Sequence, residues 1–108
     1  MSSDAPPRVR RALKILSTAI REVYEDAEVY LFGSFARGSW LLDSDVDIVV
    51  VSKRFEGKSL PQRVGELRKL APEDMPFEIL AYTPEELGEA MKRSVVVQDA
   101  KSYWKKIA

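Results

Sequence analysis

The chain has 108 residues, 17 Lys+Arg balancing 17 Asp+Glu, 45% hydrophobic residues, no Cys and no His. That length suits one domain, and the apolar share suits a packed core rather than a disordered chain. Without thiols or imidazoles there is no disulfide, thiolate metal site, cysteine nucleophile or histidine acid–base catalyst, so any bound metal must be held by oxygen.

No apolar run approaches the ~20 residues needed to span a bilayer, and Met1 to Pro7 lack a signal-peptide core, so a cytoplasmic location is expected. Zero net charge supplies no global field to draw in nucleic acid, and direct binding of DNA or RNA is not expected without a local basic patch. Asn is absent and Gln occurs only at Gln62 and Gln98. With 31% charged residues, that depletion of heat-labile side chains suggests a thermophilic source.

From about Pro7 to Asp26, Leu13, Leu16, Ile20, Val23 and Tyr24 recur at helical spacing, with Lys14, Ser17, Arg21 and Glu25 opposite. Ser3 or Asp4 could cap this helix, and the early prolines fit its first turn. Its basic start, Arg8, Arg10, Arg11 and Lys14, reads as a solvated face, with a phosphate or acidic partner as the alternative. Glu28 to Phe32 is rich in strand formers and stops at Gly33. Gly33 to Ser44 reads as a turn or short helix and then a loop. Val46 to Val51, nearly all β-branched, predicts a central strand buried on both faces. Lys53 to Lys58 is a charged loop.

Ser59-Leu60-Pro61-Gln62 has the spacing of a capping box and predicts a helix through Val64, Leu67 and Leu70, closed by Pro72. Phe77 to Tyr82 predicts a third strand. Thr83-Pro84-Glu85-Glu86 is the clearest helix start in the chain, with Leu87, Ala90 and Met91 on its apolar face. Ser94 to Ile107 reads as a last helix, turning Val97, Ala100, Tyr103, Trp104 and Ile107 inward or to an interface. There is no internal repeat or linker. The expectation is one small α/β (α+β) domain over residues 1–108, a small mixed sheet flanked by helices.

The chemistry concentrates in Gly33-Ser34-Phe35-Ala36-Arg37-Gly38 and in Asp43-Ser44-Asp45-Val46-Asp47, which opens the apolar strand. Strand alternation puts Asp45 and Asp47 on one face, roughly 7 Å apart, where they can converge on one or two divalent ions. Solvated acids at a loop end are the alternative. The three aspartates imitate the start of an EF-hand, but that loop wants Gly where Ile48 stands and Glu where Arg54 stands. Neither a Walker loop nor a dinucleotide fingerprint fits the spacing of Gly33 and Gly38. Gly33-Ser34 after a strand is either a plain tight turn with Arg37 in water or a phosphate cradle completed by a hydroxyl and a guanidinium fork.

Taken together, Gly-Ser after a strand, ten residues, then Asp-x-Asp resembles the signature of the polymerase-beta-like nucleotidyltransferase superfamily. The full string from Gly33 to Gly38 and on through Asp47 resembles its smallest branch, the minimal nucleotidyltransferases. The motif covers about 20 residues, and the order of elements fits from about residue 7 onward. The resemblance implies a third carboxylate on a neighbouring strand. Glu78 stands there, on the same side as Leu80 and Tyr82, where the family usually has Asp; a solvent-facing strand residue is the alternative.

Carried to this chain, the resemblance implies that Asp45, Asp47 and Glu78 hold Mg²⁺ (or Mn²⁺) and that Gly33, Ser34 and Arg37 bind the nucleotide, with the acceptor as the alternative contact of Arg37. ATP would be the substrate, AMP the transferred group and pyrophosphate the leaving group. Larger relatives carry a separate acceptor-binding domain; a core of this size must find its acceptor on a partner or by forming a homo-oligomer. For this branch the implied partner is a helical protein of the HEPN type, with the nucleotidyltransferase as antitoxin. Val95, Val96, Tyr103 and Trp104 read first as core packing, with a contact surface for the partner as the alternative. The alternatives are a nucleotide- or partner-binding module that neutralises its partner by complex formation, and transfer to a small molecule or nucleic acid.

Overall fold

Leu13, Leu16 and Ile20, with Val9 and Ala12, form a stripe that a helix can bury on one side, and it winds Pro7–Val23 into helix α1. This first helix is seen in a computed structural model that describes residues 5–41 and 43–108. Pro7 stands where a helix has no use for an N–H, and among the described residues no side chain caps the start; Ser3 and Asp4 lie outside them. The helix stops short of Asp26, and Arg54 closes its end by donating from Nη1 to the Val23 carbonyl at 2.9 Å.

Strand β1 (Glu28–Phe32) leads into a short helix α2 (Gly33–Arg37), and strand β2 (Val46–Val51) comes after a loop. Helix α3 (Leu60–Arg68) then crosses to strand β3 (Phe77–Tyr82), and helices α4 (Pro84–Arg93) and α5 (Val95–Tyr103) precede a two-residue strand β4 (Lys105–Lys106). The sheet order is β3-β2-β1-β4, with β1 antiparallel to both β2 and β4, and β2 parallel to β3. A parallel pair needs a crossover connection, and α3 supplies it. The expected mixed sheet flanked by helices is what forms.

Alternation sorts the strands into two faces. Val29, Leu31, Val46, Ile48, Val50, Phe77, Ile79 and Ala81 join α1, Phe55 and Leu67 in the core. The opposite face carries Tyr30, Phe32, Asp47, Glu78, Leu80 and Tyr82, and Trp104 stacks on Tyr30 there with ring centroids 4.5 Å apart.

Three expectations change in detail. The charged Lys53 to Lys58 loop contains a 3₁₀ turn (Lys53–Phe55) that drives Phe55 fully into the core. Ser59 accepts from the Gln62 N–H at 3.3 Å, but the Gln62 side chain does not return a bond to the Ser59 backbone, so half of that capping box forms. Thr83 and Glu86 complete theirs in both directions, at 3.1 and 2.8 Å. The last helix ends at Tyr103 rather than Ile107. The open edge of β1 captures the C-terminal residues instead: the Ile107 N–H donates to Val29 O at 2.8 Å, and Ala108 O accepts from the Val29 N–H at 3.0 Å. Among the described residues no helix is long and apolar enough to cross a membrane.

Candidate active site

The Val46 N–H donates to Pro76 O at 2.9 Å, fixing where β2 and β3 begin relative to one another. The resulting register places Asp47 beside Glu78 on one side and beside Phe32, the last residue of β1, on the other. Gly33 comes next in the chain, with φ +71°, a conformation that residues with a Cβ rarely adopt. A Cβ there would overlap Oδ2 of Asp47 and lie 2.8 Å from its Cγ. The Asp47 carboxylate therefore rests against bare glycine backbone. Asp45 sits exposed just before β2. The turn ahead of it is closed by the Leu41 N–H donating to Ser44 Oγ at 2.8 Å and the Ser44 N–H to Leu41 O at 3.0 Å. Trp40 stacks on buried Phe35, tying that loop to the core.

Half-burial, followed by the charges of Glu78 and then Asp45, pushes the Asp47 carboxyl up to about 6. Like charges gathered in this way stabilise one another only through a shared proton or a cation. Among the described residues no three acidic side chains close into a ready-made metal cage. An all-oxygen set of one half-buried and two exposed carboxylates still fits Mg²⁺ or Mn²⁺, because Mg²⁺ binds through one or two carboxylates and takes its other ligands from water and substrate phosphates.

Helix α2 presents the remaining candidates. Phe35 and Ala36 bury one side of it, and Gly38, at φ +81°, ends it with its N–H returned to Ser34 O at 2.9 Å. Ser34 is half-buried beside Gly33, and nothing among the described residues hydrogen-bonds its hydroxyl. Arg37 turns toward α5. Its Nη2 approaches Asp99 Oδ2 at 3.4 Å, and its guanidinium carbon lies 4.2 Å from the centre of the Tyr103 ring. The fold thus sets Asp47 against Gly33, pairs it with Glu78 across the strands and leaves it within electrostatic reach of Asp45, with Ser34 next in the chain, and ties Arg37 to a helix that comes 62 residues later. The contacts of Arg37 with Asp99 and Tyr103 are not legible in the sequence: a spacing of four puts the two on one helical face, but nothing links that face to Arg37.

A family model described as nucleotidyltransferase domain matches residues 10–103. The chain belongs to that family. Nucleotidyl transfer is the general chemistry of such domains. Two crystal structures share the fold. One, of a proposed nucleotidyltransferase, has a TM-score of 0.64 at 24% identity, covering 89% of this chain and 97% of the other. The second, of a proposed nucleotidyltransferase from Sulfolobus solfataricus, has a TM-score of 0.53 at 22% identity, covering 82% and 85% of the two chains.

Proposed function

We propose that this nucleotidyltransferase domain transfers AMP from ATP to a hydroxyl group on a protein partner. The observation that carries the proposal is the in-register pairing of Asp47 with Glu78 against Gly33, with Asp45 near enough to act on the same charge. Asp45, Asp47 and Glu78 would hold Mg²⁺, which, when bound, neutralises charge developing on the triphosphate. The Gly33–Ser34 turn, whose backbone a phosphate can approach closely, receives the β- and γ-phosphates together with the Ser34 hydroxyl. Arg37 adds a permanent positive charge.

In the transfer the acceptor oxygen bonds to the α-phosphorus as the bond from that phosphorus to the pyrophosphate oxygen breaks. Glu78, exposed on β3 and level with Asp47 across the strand pair, takes the proton that the acceptor loses. Positioning and electrostatics carry such a reaction, which is how a chain without histidine can perform it.

The proposed acceptor is a helical partner of the HEPN type, neutralised by the modification in a toxin–antitoxin pair. Val95 and Val96, 79% and 67% exposed at the start of α5, supply an apolar place for such a partner. Tyr103 and Trp104, read with them as core or contact surface, are half-buried, the first under Arg37 and the second against Tyr30. The same exposed valines favour a second reading, in which complex formation alone neutralises the partner.

The test is the double variant Asp45→Asn, Asp47→Asn, assayed with α-labelled ATP and Mg²⁺ against a purified helical partner. Wild type should transfer label and the double variant should not. Undiminished transfer by the variant overturns the proposed site, and absence of transfer by wild type in a tight complex favours neutralisation by binding.

A further inference from the structure

The contact between Arg37 and α5 joins two parts of the chain that the motif does not connect. Asp99 and Tyr103 lie one helical turn apart on α5, and they engage the same guanidinium from different directions. The guanidinium carbon sits over the Tyr103 ring, and Asp99 Oδ2 lies 3.4 Å from one of the guanidinium nitrogens, Nη2. A planar guanidinium carries its donors in the plane, so stacking on a ring leaves most of them available. Both members of the ion pair stay about half exposed, at 51% and 56%, so the remaining donors are open to a ligand.

The location makes this orientation useful. Arg37 is one helical turn beyond Ser34, on a helix that starts at the glycine touching Asp47. Immediately after Tyr103, Trp104 stacks on Tyr30, which shares its sheet face with Asp47 and Glu78 through the register of β1, β2 and β3. The end of α5 is therefore fixed over the face that bears the carboxylates. A long, flexible arginine at the end of a five-residue helix would otherwise sample many rotamers.

We propose that Asp99 and Tyr103 are positioning residues that aim Arg37 at the triphosphate of the nucleotide. This rests on the nucleotidyltransferase reading above. Asp99 restrains one edge of the fork, Tyr103 restrains its plane, and the free in-plane N–H groups meet phosphate oxygens. The alternative role for the same ion pair is a mask, in which Asp99 occupies Arg37 in place of the ligand; the two roles predict opposite signs.

The test titrates ATP with Mg²⁺, and separately inorganic tripolyphosphate with Mg²⁺, into wild type and variants by calorimetry. Tyr103→Phe keeps the aromatic face and should bind both ligands within about twofold of wild type, whereas Tyr103→Leu should bind both about three- to tenfold more weakly. Asp99→Ala should weaken both by a similar factor, on the order of three- to tenfold, and Asp99→Glu should recover most of the loss. Adenosine, which has no phosphate, should bind all five proteins alike, a result that a merely structural role for the contact does not produce. Tighter ATP binding by Asp99→Ala, or unchanged binding by both Asp99→Ala and Tyr103→Leu, overturns the positioning role while leaving the nucleotidyltransferase reading intact. Failure of wild type to bind either phosphate ligand overturns that reading, and the inference with it.

Discussion

Asp47 keeps its proton to a higher pH than an ordinary carboxyl because burial and two neighbouring acids oppose its charge. The sign of the consequence is fixed by linkage. A carboxyl raised from 3.8 to about 6 on folding favours the folded state fully below 3.8, and that contribution disappears as pH rises through about 6. In chelator, Asp47→Asn should therefore melt above wild type at pH 7.5 and lose that advantage by pH 4. Added Mg²⁺ should close the gap at pH 7.5 by stabilising wild type alone, and thermal melts at the two pH values read both effects. Gly33→Ala meets the same carboxylate from the other side. The forced left-handed backbone and the overlap with Oδ2 should together cost about 2 kcal/mol or more, measured by denaturant unfolding. The sequence shows Asp45 and Asp47 as candidates because a strand that opens on acids breaks a local rule, Gly33 because it ends a strand abruptly, and Glu78 through the family resemblance. It does not show that Gly33 and Asp47 touch; that contact depends on how two antiparallel strands align.

Elements with strong local signals appear where expected. β1, β2 and β3 match their predicted spans, and Thr83 starts α4 with both halves of its capping box. The Glu86 of that box also receives the guanidinium of Arg63, a buried arginine on α3 that donates in addition to Ala81 O at 3.2 Å and Lys58 O at 2.9 Å. Arg63 and the Thr83 N–H hold the Glu86 carboxyl down at about 2. A lowered carboxyl contributes stability above its ordinary value of 4.5 and loses it as pH falls through about 2. Glu86→Gln should thus destabilise at pH 7 by about 1 kcal/mol, with Glu86 partly in water, and the difference from wild type should shrink below pH 4.5 and vanish near pH 2 in acid titrations followed by circular dichroism. Nothing local announces Arg63 as a buried tie between α3, β3 and α4, since charged residues on helices are ordinarily solvated. β4 was equally hidden. Two lysines become a strand because β1, far earlier in the chain, leaves an edge to be paired.

At the scale of the whole chain, a radius of gyration of 13.1 Å equals what a compact chain of this length has, about 13 Å. One face of the sheet is spent on the core with α1 and α3, and the other keeps acids and half-buried aromatics within reach of solvent. That division arises from alternation along each strand and was readable from the pattern of Phe77 to Tyr82 alone. The parallel pairing of β2 with β3 brings Asp47 level with Glu78, 31 residues further on, across the α3 crossover. Long-range pairings of this kind form late, when the entropy of the intervening loop has been overcome. A growing polypeptide interrupted before Phe77 carries the glycine–serine turn and both aspartates, but no facing glutamate. On the proposed mechanism such a fragment lacks the group that takes the acceptor's proton, and the capacity to react would arrive with the final architecture rather than with any stretch of it.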